Sequence, residues 1–207
     1  LLNALEVVAQ RKVEERTVEL ALKNEELGEK NREITDSIRY AKRLQDAMLL
    51  PGGEMKKILE DSFILYKPKD IVSGDFYFFK ATETNGRKRF WIAAVDCTGH
   101  GVPGAFMSII TNDMLARAIE GNESKSPAEV LDILNLMMSD KMRHTIDDVR
   151  VRDGVDIALM AYDPMQMELH YSGAFNPLYH FRGKMFQELK ADKISIGGVN
   201  EERGKKY

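Results

Sequence analysis

Over the first fifty residues the apolar positions form a narrow, regular seam rather than a broad stripe. One row, Val13, Leu20, Leu27, Ile34, Ala41 and Met48, recurs every seventh residue, and a companion row offset by three holds Thr17, Asn24, Asn31, Ile38 and Gln45. These are the d and a positions of a heptad repeat, so residues 1–50 are expected to form a coiled-coil dimerisation and signalling helix. Asparagine at an a position favours parallel pairing of two strands, because the amides bond across the dimer axis. Asn24 and Asn31 therefore predict a parallel homodimer, with a rod roughly 70 Å long. A single amphipathic helix lying on its own domain is the alternative, but it calls for a wider apolar face. A weak seam also suits a relay. Because the chain opens inside a helical pattern, an upstream sensor domain is expected. Pro51-Gly52-Gly53 then breaks the rod and begins a second domain, 51–207.

Beyond that break the periods shorten. A short helix is expected over 54–59, then strands at 63–66, 76–81 and 90–95, with Thr84-Asn85-Gly86 turning the chain between the last two. A helix follows with Pro103 in its first turn and Met107, Ile110, Met114 and Ala118 as its inward row. Another starts at Ser126-Pro127-Ala128-Glu129, a capping box, with Leu131, Leu134, Met138 and Met142 facing inward. Strands return at 155–162, 167–172, 178–181 and 185–189, with a turn at Asp163-Pro164. Hairpins on either side of two helices predict an α+β fold of antiparallel sheet with helices outside it. The strands at 90–95 and 157–162 are apolar on both faces, and so need cover on both.

Composition narrows the function classes. The 207 residues carry 30 basic and 33 acidic side chains, a formal net charge of −3. There is no basic stripe with interleaved aromatics, so no nucleic-acid partner is expected. The lone cysteine, Cys97, rules out an internal disulfide framework and fits a reducing, cytoplasmic setting, with room for a membrane anchor further upstream in the parent chain.

The chemistry gathers at Asp96-Cys97-Thr98-Gly99-His100-Gly101-Val102-Pro103, where a carboxylate ends a buried strand beside a glycine turn and a helix N-terminus. Hard cations and phosphate groups are both well held in such a place. A second acidic residue, Asp75 in Val72-Ser73-Gly74-Asp75, opens the aromatic strand Phe76-Tyr77-Phe78-Phe79. Aspartates also favour turns for purely local reasons. The pairing of two such sites suggests a metal-assisted hydrolase.

Asp96-x-x-Gly99-His100-Gly101, preceded by Ser73-Gly74-Asp75-Phe76, resembles the metal-dependent serine/threonine protein phosphatases (the PPM family). It is most similar to the bacterial branch with the stage II sporulation phosphatase E and the phosphatases that regulate alternative sigma factors. Arg152-Asp153-Gly154-Val155-Asp156, Ser172-Gly173-Ala174-Phe175-Asn176-Pro177 and Ala191-Asp192-Lys193-Ile194-Ser195-Ile196-Gly197 extend the resemblance in order, from about Thr35 onward. It implies an α-β-β-α sandwich of two antiparallel sheets flanked by helices, with two divalent cations, Mn²⁺ or Mg²⁺, at one sheet edge. Carried over, Asp96 bridges the metals, the backbone carbonyl of Cys97 ligates one, and Asp75 completes the nearer side. Gly99 and Gly101 admit the substrate phosphate, and Asn176 shapes a loop near the substrate entrance. His100 is either a general acid or a structural loop histidine. Asp153 and Asp156 read as turn residues, Asp156 being the better outside candidate for a metal. Cys97 has no histidine partner and is rejected as a nucleophile.

The implied activity is hydrolysis of phosphoserine or phosphothreonine on a bacterial regulatory protein, an anti-anti-sigma-like substrate by resemblance. A non-catalytic scaffold and a hydrolase of small phosphoesters stay open as alternatives. The family's later metal-binding aspartates find no counterpart before Tyr207. The resemblance thus implies further strands and helices beyond it, and weak metal binding by residues 1–207 alone.

Overall fold

The computed structural model of the protein describes residues 2–48, 52–145 and 154–198. The chain divides into two compact units, Leu1–Ala41 and Lys42–Tyr207.

The first unit belongs to helix α1 (Leu2–Met48). Its surface carries ion pairs one turn apart, among them Arg16 with Glu19 at 2.7 Å and Lys23 with Glu19 at 2.9 Å. Each such exposed pair contributes only about 0.3–0.5 kcal/mol. The heptad row Val13, Leu20, Leu27 and Ile34 lies open to solvent in the single chain, 57–66% exposed.

In the second unit a four-stranded antiparallel sheet runs in the order β1 (Phe76–Thr84), β2 (Arg87–Cys97), β3 (Val155–Asp163) and β4 (Glu168–Ala174). A separate two-stranded sheet is formed by β5 (Leu178–Arg182) and β6 (Met185–Leu189). The β1–β2 turn has Asn85 at φ 53 and Gly86 at φ 76, the left-handed pair that a two-residue hairpin turn needs to match strand twist.

Alternation sorts the side chains. Trp91, Ala93, Val95 and Cys97 of β2, with Ile157, Leu159 and Ala161 of β3, face helices α3 (Gly101–Ile119) and α4 (Pro127–Thr145) and form the main core. On the opposite face Phe79 and Phe90 pack with Met55 of the short helix α2 (Gly52–Ile58), joined by Leu59, Ile64, Ile92 and Tyr162. The two-sided cover expected for β2 is thus supplied by helices behind and by the α2 segment in front. Capping at Ser126 is as read: its backbone N–H and hydroxyl both bond Glu129 Oε2, at 2.9 and 2.8 Å. Among the described residues no helix is long and apolar enough to cross a membrane.

Four expectations are corrected. Residues 63–66 pair with no strand. They alternate, with Phe63 and Leu65 outward at 87% and 81% exposure, but have no ladder neighbour, and alternation without a partner makes no strand. The inward row of α3 is rotated: Ala105, Ser108, Thr111, Met114, Leu115, Ala118 and Ile119 are buried, while Ile110 and Phe106 are exposed. Small polar residues fit against the sheet where larger apolar ones would not. Gln45, placed on the coiled-coil seam, is buried within the second unit. Several element ends run two or three residues past their expected limits, as β1 does to Thr84. The side chain of Met142 lies outside the described residues.

Candidate active site

Strands β1 and β2 lie in register with Phe76 opposite Val95, so Asp75 and Asp96 arrive at the same end of the same hairpin. Their carboxyl groups are close enough to share a hydrogen bond. Partial burial, then the neighbouring negative charge of Asp75 and that shared hydrogen bond, hold Asp96 above the usual carboxylate range. Two acids crowded together at a strand end are relieved by a cation. Oxygen donors of this kind suit Mg²⁺ or Mn²⁺.

The backbone beneath the pair is built from small residues. A methyl group added to Gly74 would sit 2.7 Å from the carbonyl oxygen of Gly99 and 2.9 Å from that of Cys97. Only hydrogen fits there. Gly99 and Gly101 take φ values of +95 and +63, conformations that favour glycine. The main chain of Asp75 is held on both sides, its N–H donating to Ser73 Oγ at 3.0 Å and its carbonyl accepting from the Tyr66 hydroxyl at 3.1 Å. Tyr66 in turn meets Tyr77 edge-on, ring centroids 5.8 Å apart.

The Cys97 side chain points away, into the core, where its thiol donates to Thr111 Oγ1 at 3.7 Å. Burial above all pushes that thiol up to about 12, so it stays protonated and no nucleophile. Its carbonyl, by contrast, faces Gly74 at the acidic edge. His100 stands exposed at the N-cap of α3 and pairs its Nδ1 with Asp70 Oδ2 at 3.2 Å. Since its ring makes no cap bond to the helix, α3 presents its amide end beside the glycine turn.

Asp156 sits directly across the β2–β3 ladder from Asp96, which puts both on one face, and accepts from Ser195 Oγ at 2.6 Å. Asn176 lies in the loop after β4, its carbonyl accepting from the Tyr171 hydroxyl at 2.6 Å. Ala174 pairs with Ile157, so this loop leaves the sheet at the end that carries Asp156. Arg152 and Asp153 fall outside the described residues. Among the described residues no three or more His, Cys, Asp or Glu side chains gather for one ion. The donors in hand are a carboxylate pair and a carbonyl, which suits cations that keep several waters.

Reading the sequence missed Ser73, Tyr66 and Gly104. Gly104 had a signal: glycine inside a helix costs about 1 kcal/mol against alanine, which asks for a packing reason. A methyl on it would lie 2.5 Å from the Gly99 oxygen.

Comparison with known proteins converges on one family. Residues 86–203 match the family described as Stage II sporulation protein E (SpoIIE). No curated protein matches the chain. Among solved structures, the SiaA PP2C domain of Pseudomonas aeruginosa is 35% identical, with a TM-score of 0.68 over 81% of this chain. The match takes in 64% of that chain, so the residues in hand span under two thirds of it. The PP2C phosphatase domain of the cell fate determinant SpoIIE from Bacillus subtilis, determined with a fragment of its regulatory domain, is 22% identical. There the TM-score is 0.46, covering 63% of this chain and 35% of that one.

Proposed function

The chain belongs to the SpoIIE family of PP2C-like phosphatase domains, and on that premise we propose that it removes phosphate from phosphoserine or phosphothreonine on a regulatory protein, using Mn²⁺ or Mg²⁺. The observation that carries the proposal is the meeting of Asp75 and Asp96 at one strand end, above a floor where Gly74 touches Gly99. Asp75, Asp96 and the Cys97 carbonyl would hold the cations. When bound, such ions supply Lewis acidity and lower the pKa of a water, which lets attack on phosphorus proceed without an enzyme nucleophile.

The protein's own groups do the rest. The left-handed turns at Gly99 and Gly101 keep side chains away from an approaching phosphoryl group. The amide end of α3 offers favourable potential to a dianion. Asp70 holds His100 at the rim, where it would donate a proton to the departing serine oxygen once the substrate is seated. Asn176 lines the approach from the β4 side.

The substrate would be a small phosphorylated regulator of the anti-anti-sigma kind. Two chains would pair in parallel through residues 1–50, placing the catalytic unit under a sensor further upstream in a cytoplasmic signalling protein. The decisive test compares the full-length protein with Asp96→Asn on a phosphoserine protein. Manganese-dependent phosphate release should fall by two orders of magnitude or more in the variant, roughly the loss expected on removing a direct metal ligand. Equal release by both would refute the metal site, and no release by either would favour a scaffold.

A further inference from the structure

On the last turns of α1, Gln45 is the one buried side chain of the heptad row, 1% exposed. Its Nε2 donates to the Ser73 carbonyl at 2.6 Å and to Ser108 Oγ at 2.8 Å, while its Oε1 accepts from the Ser73 N–H at 3.1 Å. One amide therefore grips both main-chain groups of Ser73, as a neighbouring strand would, and also reaches into α3. Ser108 Oγ passes the bond on to the Ala105 carbonyl at 2.8 Å.

Ser73 is itself the support of the acidic edge. Its hydroxyl receives the Asp75 N–H, and the next residue, Gly74, lies against Gly99 and within 3.2 Å of a methyl built on Gly104. A slip of Ser73 would move the Asp75 carboxylate relative to Asp96, which sits on a different strand and would not follow. Only a primary amide supplies the two donors and one acceptor used here. A carboxylate lacks the donors, and a thioether of the same length lacks both functions.

We propose that Gln45 is a positioning residue that sets Asp75 against Asp96, tying α1, the Ser73 segment and α3 into one support for cation binding. This rests on the reading of Asp75 and Asp96 as the metal-holding pair. Groups that orient metal ligands typically cost 10–100-fold in affinity when removed.

The test titrates Mn²⁺ by calorimetry into the full-length protein and into Gln45→Met, Asp75→Asn and Leu134→Ala variants, with metal-free melting curves alongside. Gln45→Met should weaken Mn²⁺ binding by about 10-fold or more. Leu134→Ala, a core truncation far from the carboxylates in sequence, should lower the melting temperature yet leave the affinity of the folded protein unchanged. Unaltered Mn²⁺ affinity in a cooperatively melting Gln45→Met protein, with Asp75→Asn abolishing binding, overturns the positioning role alone. Intact binding in Asp75→Asn overturns the metal pair and the proposal with it. Should Gln45→Met fail to fold, Gln45→Glu keeps the shape and the acceptor for Ser73 N–H but loses both donors. It must show the same weakening, and wild-type affinity there refutes the proposal.

Discussion

Gly74 and Gly104 meet backbone to backbone: a methyl group on Gly104 would come within 3.2 Å of the Gly74 Cα and 2.5 Å of the Gly99 carbonyl oxygen. This contact lets the Asp75 segment, the glycine turn and α3 share one floor. Alanine is the better helix former by about 1 kcal/mol. Here Gly104→Ala should nonetheless destabilise by about 1–3 kcal/mol, because the atoms it meets are main chain and cannot swing aside. Thermal melting should fall by several degrees and manganese-dependent turnover with it. A raised melting temperature would show that the floor is not tight.

Asp96 makes a second prediction, for the metal-free protein. Its folded-state value lies above the ordinary carboxylate range, so the protonated form is favoured by folding. That contribution is complete below the ordinary carboxylate pKa and is lost as pH rises through the raised folded value. At neutral pH the ionised group therefore opposes folding. Asp96→Asn should raise the melting temperature in chelator by roughly 2 °C while removing Mn²⁺ binding. The gain should shrink as the pH is lowered toward the acid range. An equal gain at both pH values, or a loss at neutral pH, contradicts this account.

The Cys97 thiol, raised to about 12 chiefly by burial, should resist iodoacetamide in the native protein at pH 8 and react only after unfolding. Cys97→Ala should keep phosphatase turnover and lose about 1 kcal/mol of stability, since only a small buried group is removed. Loss of turnover in a well-folded variant would implicate the sulfur in the chemistry.

The heptad row gives the last prediction. Leu20 and Leu27 are more than half exposed in the single chain. In the full-length protein, Leu20→Glu combined with Leu27→Glu should convert a dimer to a monomer by light scattering, leaving melting of the catalytic unit in place. A wild-type protein that runs as a monomer ends the coiled-coil proposal.

Local rules read much of the fold correctly. The Asn85-Gly86 turn, the Ser126 cap and the strand alternation through Trp91 and Ile157 follow from residue chemistry within a few positions. The acidic pair was legible for the same reason, each aspartate standing at a strand edge beside glycine. What sequence could not show depends on distant segments. Phe63 and Leu65 alternate as a strand does, but a strand also needs a ladder neighbour. Gln45 obeys the heptad period, yet its three bonds come from residues 28 and 63 positions away. Periodicity has no means of seeing such partners.

The sealed position of Cys97 has one more consequence. Phosphatases that attack through a thiolate can be silenced by peroxide, which converts that sulfur to sulfenic acid. Here the lone thiol is protonated and enclosed, so the acidic edge offers oxidants no foothold. The sulfurs most open to them among the described residues are Met165 and Met167 in the β3–β4 turn and Met185 at the start of β6, 75–77% exposed. Oxidative damage to this chain should therefore mark its hairpins as sulfoxide and spare its catalytic edge.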